Sequence, residues 1–286
     1  TSQFRYSMPI YEQTYRRYGG LRLPPCRGWW VIARTGLASA LLDRRFVGLL
    51  LLAWAPFLVR AVQIYASANF QQVGFLAPTV ETFRTFIAQQ STFMFFVTVY
   101  AGAGLIADDR HANALQLYLS KPVTRSEYVV GKSVILVVLL LAVTWLPAMA
   151  LLLWQVTLTG DAFLRTNSHL GPAIMVFSVI EALVAALPML ALSSLSSSRR
   201  FVSVLYAGVV LFSGGLATAL RPATGRGWWS WLSPEHALAA VGDAIFRIQT
   251  PSSAPVALAA VALAAIVLVS LVVLRRTVCA VDVVSS

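Results

Sequence analysis

"ADDRHANALQLYLSKPVTRSEYVVGKS", residues 107–133, is a polar bridge between two apolar runs, and the fold turns on how it is read. Its last three residues, Gly131-Lys132-Ser133, end like a phosphate-binding loop. Such a loop needs G-x-x-x-x-G-K-[ST] between a strand and a helix. Ser126 stands where the first glycine belongs. Thr124-x-x-Glu127 is a capping box that opens a helix. Gly131–Ser133 therefore lie two turns inside that helix, with their amides committed to carbonyls one turn back. They cradle no phosphate. Lys132 reads instead as an interfacial lysine reaching toward headgroups. Upstream, Asp108 or Asp109 caps a helix start, and Ala112, Leu115 and Leu119 repeat at helical spacing. Lys121-Pro122 stops it, because proline disfavours α geometry in the residue before it. The bridge is thus a short surface helix, a tight turn, and the first turns of a long helix.

Outward from the bridge, the chain is a membrane protein by composition. Of 286 residues, 58% are hydrophobic and 12% charged, half the charge of an ordinary soluble domain. Six apolar runs meet the length of roughly 20 helical residues that a bilayer demands. They are Phe46–Tyr65, Phe86–Ala107, Val134–Trp154, Pro172–Leu195, Phe201–Leu220 and Pro255–Leu274. Pro56, Pro147 and Pro188 interrupt three of them, which neighbouring helices tolerate. With the N-terminus in the cytoplasm, sixteen of the 22 Arg and Lys fall in cytoplasmic segments and five in external ones. That bias predicts an all-α polytopic protein, N-in and C-in. The net charge of +11 belongs to those flanks; no base-reading or stacking order points to nucleic acid.

The expected organisation is an N-terminal extension (1–27), an interfacial helix (28–45), a six-span domain (46–275) and a tail (276–286). The extension has no apolar stretch of signal-peptide type. It lies on the anionic leaflet or is disordered. In the interfacial helix, Trp29, Ile32, Ala33, Gly36, Leu37, Ala40 and Leu41 form an apolar stripe expected to lie in the membrane surface; the alternative is packing on the rest of the chain. A second helix starts at Ser233-Pro234-Glu235, with a serine cap and proline at its first position. It runs to about Phe246 in the external loop between spans five and six. Trp228, Trp229 and Trp231 precede it at headgroup level. Cys26 and Cys279 sit in cytoplasmic segments, where a disulfide is not expected.

Two charges lie inside the spans, where charge costs roughly 3 kcal/mol on insertion scales. Arg60 and Glu181 have similar depths, so they pair, or Glu181 faces a polar cavity. Alternatively Arg60 snorkels outward and Glu181 is held protonated between helices. His111, His169 and His236 stand in three different loops, so no metal cluster or catalytic set is expected.

The bridge resembles the loop of ABC-2 type permeases, the membrane subunits of one class of ABC exporter. The resemblance rests on Gly104, Ile106-Ala107, Asp109-Arg110, Ala114-Leu115, Leu117, Leu119, Pro122, Arg125, Tyr128 and Gly131-Lys132. Asn113 departs from the glycine common before the Ala-Leu pair. The whole topology is similar too. The resemblance implies a multi-pass subunit of a prokaryotic plasma membrane that pairs with a second permease, identical or not, among membrane lipids. A separate ATPase subunit would hold the ATP and Mg²⁺, and this chain would bind no cofactor and hydrolyse nothing. The short helix, about Asp109–Ser120, would be the coupling helix. Asp109, Arg110, His111, Asn113, Leu115, Gln116 and Leu119 would meet the ATPase. A transporter or channel that needs no ATPase is the other reading; it calls for inverted repeats or broken helices. A membrane anchor or enzyme subunit is a third.

Overall fold

The structure, a computed structural model, describes residues 28–70, 77–112, 114, 124–160, 162–224, 233–248 and 256–278. Among these, every regular element is helical, and six helices are long and apolar enough to cross a membrane. They are span 1 (Arg44–Asn69), span 2 (Val80–His111), span 3 (Arg125–Thr159), span 4 (Leu170–Leu195), span 5 (Arg199–Leu216) and span 6 (Val256–Thr277). The side holding the start of span 1 is called near, the opposite side far. A surface helix, Gly28–Leu42, precedes span 1 on the near side. A far helix, Pro234–Ile245, lies between spans 5 and 6.

Each expected run coincides with one of these spans, to within four residues at its ends for runs five and six, and the helices of spans 1 to 3 overrun the apolar stretches. Span 2 starts at Val80 rather than Phe86, and span 3 at Arg125 rather than Val134. The extra turns are polar yet capped. Thr124 Oγ1 accepts the Glu127 amide at 3.2 Å, and Glu127 Oε2 accepts the Thr124 amide at 2.8 Å. This is the expected capping box. Span 2 also continues through Asp108 and Asp109 to His111, so neither acid starts a new helix. The expected start of the short surface helix is corrected: residues 109–111 are the last turn of span 2. Asn113, Leu115, Gln116 and Leu119 lie outside the described residues, as do the N-terminal extension, Cys26, Cys279 and the three loop tryptophans.

Two prolines mark one-residue breaks. Span 1 breaks at Trp54, two residues before Pro56, and the Trp54 amide turns to the Leu51 and Leu52 carbonyls. Proline has no N–H for the carbonyl one turn back, so the ladder yields there. Span 3 breaks at Thr144, three residues before Pro147, and Thr144 donates its hydroxyl to the Leu140 carbonyl at 3.1 Å. Pro188 sits inside an unbroken helix.

Span 2 holds a π-helical turn, Thr98–Gly102, which periodicity does not announce. Such a turn disturbs the α ladder. Span 4 completes it: Ser193 Oγ donates to Ala103 O (2.8 Å) and accepts from the Ile106 and Ala107 amides (3.2 and 3.0 Å). Span 4 is accordingly the spine of the bundle. In it, 61% of the apolar window is buried, against 11% in spans 1 and 5, which turn their apolar faces outward. A near core centres on Phe46, Ile106, Tyr128, Leu136, Leu140 and Met189. A far core centres on Phe83, Phe86, Ile87, Leu151, Ile174 and Phe177.

The far helix forms where expected, with Pro234 in its first turn, but Ser233 does not cap it through its side chain. The Ser233 hydroxyl is buried without a hydrogen-bond partner. In the surface helix, Ala33 is buried, and Ile32, Leu37 and Ala40 of the expected stripe pack with it against the near core. Trp30, Val31, Leu41 and Leu42 are its exposed apolar side chains.

Candidate functional site

The near ends of spans 2 and 3 and the surface helix form one joint. Gly131, the glycine of the false phosphate loop, is its closest point. A Cβ there would lie 2.9 Å from Ile32 Cβ and 3.0 Å from the Trp29 carbonyl. One turn along, Gly36 of the surface helix likewise leaves room only for Ile135 of span 3. Each helix thus offers a glycine to an isoleucine of the other, and the axes approach as closely as backbones permit.

Beside this contact lies a buried charge cluster. Lys132 Nζ is 2.7 Å from Asp109 Oδ2, with the side chains 10% and 19% exposed. Tyr128 donates its hydroxyl to the same Asp109 oxygen at 2.7 Å, and Lys132 Nζ stands 5.5 Å from the Tyr128 ring centre. The expectation of a snorkelling Lys132 is corrected, because an acid from span 2 meets it inside the fold. A pair removed from water holds only when hydrogen bonds satisfy it, which Tyr128 does here. Arg110 turns the other way and donates to the Ser194 carbonyl at the end of span 4. Asp109 and Arg110, both expected to meet a partner, are therefore engaged within the chain. His111 is exposed at the last turn of span 2.

The corner between the surface helix and span 1 is tied to the same region. Asp43 caps span 1 by accepting the Arg45 amide at 3.0 Å, and Tyr100 donates its hydroxyl to the other Asp43 oxygen at 2.7 Å. The Tyr100 hydroxyl, then the Arg45 amide, hold the Asp43 carboxyl below its ordinary range. Arg199, at the start of span 5, donates to the Tyr100 carbonyl at 2.6 Å and stands 5.3 Å over its ring.

On the far side, the charges pair differently from the expected scheme. Arg60 donates to Gln63 Oε1 at 2.9 Å and Gln89 Oε1 at 3.3 Å. Its guanidinium is satisfied by amides, not by Glu181. Glu181 is 3% exposed with Oε2 unpartnered. Arg84, two residues outside the expected second run, lies inside span 2 and is buried. It donates from Nε to Asp243 of the far helix at 3.0 Å and to the Ala239 carbonyl at 3.2 Å, over the Phe177 ring at 4.9 Å. One arginine thus fastens the far helix to spans 2 and 4. The sequence holds one faint signal of it, an arginine two residues before an apolar run; its partner is 159 positions away.

No group of His, Cys, Asp and Glu suited to a metal ion occurs among the described residues. The joint holds no arrangement of nucleophile and base. Charge pairs and glycine contacts lock three helices together there. No protein-family model matches the chain, and no curated protein matches it.

Proposed function

We propose that this chain is the membrane-spanning subunit of an ABC-2 type exporter in a prokaryotic plasma membrane. It pairs with a second permease subunit and works with a separate ATPase that carries ATP and Mg²⁺. The observation that carries the reading is the joint. Span 2 ends just past Asp109, and Lys132 lies two turns into span 3, so a push on the segment that joins the two spans would reach both spans and the surface helix together. The permease-like motif residues Asp109, Tyr128, Gly131 and Lys132 all sit in this joint. Leu115 and Leu119 supply the apolar face of the coupling helix to a groove on the ATPase, as helix-in-groove recognition requires. The sixteen Arg and Lys that the N-in topology assigns to cytoplasmic segments support placing that face in the cytoplasm.

The breaks at Trp54 and Thr144 bear on the ATPase-independent reading. Secondary transporters use unwound half-helices whose exposed carbonyls coordinate ions. Here each break is one residue, and hydrogen bonds close it on both sides. They are proline kinks, and they favour the exporter reading.

The test is to co-express the chain with its neighbouring genes, purify it and look for a co-eluting ATPase. The two are expected to elute together, and Leu115→Asp with Leu119→Asp is expected to separate them. Elution of the unaltered chain alone sinks the reading; a complex that survives the double change removes the coupling helix from it.

A further inference from the structure

A cavity of about 590 Å³ opens between the surface helix and the near ends of spans 1, 2 and 3. Its floor is apolar: Ile32, Phe46, Leu105, Ile135 and Leu139. Its walls are two polar ladders. The surface helix and its corner contribute Thr35, Ser39 and Asp43, one turn apart; span 2 contributes Tyr100, Gly104 and Asp108 at the same spacing. The π turn at Thr98–Gly102 forms part of the second wall, and such turns gather at functional sites.

The charges of the walls do not cancel. Lys132 neutralises Asp109. Asp43, Asp108 and Arg199 remain, two acids against one base. Asp43 is hydrogen-bonded to Tyr100, and Arg199 is held on the Tyr100 carbonyl and ring. Asp108 is exposed, and its carboxylate has no ion-pair or hydrogen-bond partner among the described residues. A Cβ on Gly104 would collide with the Asp108 carboxylate and lie 3.2 Å from Arg199 Cδ. Acid and base therefore converge over a bare stretch of backbone.

We propose that this cavity binds the headgroup of a zwitterionic, ammonium-bearing phospholipid, phosphatidylethanolamine in class. Asp108 and Asp43 receive the ammonium, and Arg199 receives the phosphate beside it. An anionic lipid meets excess acid here, and a purely cationic amphiphile meets Arg199. The apolar floor takes the first carbons of the tails, and the volume is that of a small-ligand site rather than of a whole lipid. Exposed Trp30, Leu41 and Leu42 on the surface helix set the opening at headgroup level. The proposal rests on the membrane character of the chain and not on the exporter reading.

The full chain is reconstituted in vesicles of equal phosphatidylethanolamine and phosphatidylglycerol, extracted in mild detergent and weighed by native mass spectrometry. One retained phosphatidylethanolamine is expected, with a preference of about tenfold, which is about 1.4 kcal/mol. Asp108→Asn should bring that preference close to one. Thr35→Trp, which fills the mouth, should remove the lipid while circular dichroism stays unchanged. Equal retention of the two lipids overturns the proposal, as does a preference that survives both variants. Displacement of the lipid by an equimolar amount of phosphoethanolamine, a head without tails, overturns its assignment to a lipid.

Discussion

Gly131→Ala is the sharpest test of the joint. In a helix interior, alanine is worth about 1 kcal/mol over glycine. At Gly131 the new methyl meets Ile32 Cβ at 2.9 Å and the Trp29 carbonyl at 3.0 Å. Neither is the flexible end of a side chain, so no rotamer change relieves the contact; the surface helix itself must withdraw by a few tenths of an ångström. Overpacking of this kind costs about 1–3 kcal/mol. The net effect is a loss of about 0–2 kcal/mol, the difference of those two terms. Gly48 of span 1 supplies the control, because nothing lies within 4 Å of a Cβ there. Gly48→Ala should gain the helix term alone, about 1 kcal/mol. Thermal unfolding of the three proteins in one detergent reads the contrast, and the gap between the two variants is the packing cost. Gly131→Val should widen that gap. If Gly131→Ala raises the midpoint as much as Gly48→Ala, the close approach does not constrain the fold and the reasoning fails.

Asp109→Asn strands Lys132 in a half-dry site and should cost about 1–3 kcal/mol. The double change Asp109→Leu with Lys132→Met should recover most of it in a double-mutant cycle; strictly additive losses would refute the pairing. Arg84→Met removes the fastening of the far helix, a charge-assisted bond worth about 1.5–3 kcal/mol. A cysteine placed at Val241, which is 8% exposed, should then react about tenfold faster or more with a thiol reagent; an unchanged rate would show that other contacts hold the helix. Asp43 titrates below its ordinary range, so its bonds to Tyr100 and the Arg45 amide are intact above about pH 4 and are lost only as pH falls through the lowered value. The destabilisation by Asp43→Asn should therefore be the same at pH 5 and pH 8, and a difference between them would contradict the assignment.

What the sequence disclosed follows from the range of each interaction. A span is a local property, since twenty consecutive apolar residues suffice, and all six were legible. The kinks at Trp54 and Thr144 were legible as Pro56 and Pro147, because proline acts within one turn. The start of span 2 at Val80 was read short, where a polar but capped turn looks like loop, whereas the start of span 3 at Arg125 was legible in the Thr124–Glu127 capping box. Lys132 was misread because its partner Asp109 reaches it only once spans 2 and 3 lie side by side. Arg84 was misread for the same reason at greater distance. Gly131 carried the most misleading signal: a glycine before a lysine spells phosphate binding, whereas its use here is the space left for Ile32.

The π turn in span 2 has a further consequence. It holds one residue more than an α turn, so the two halves of the helix are indexed independently. Deleting Ala101 would restore a regular helix and rotate everything beyond it by about 100°, one residue of a 3.6-residue turn. Asp109 would swing off Lys132, and Ile106 and Ala107 would leave Ser193, while Arg84 and the far core stayed in place. The two halves of span 2 are therefore set separately, the far half by Arg84 and the far core, the near half by a single inserted position.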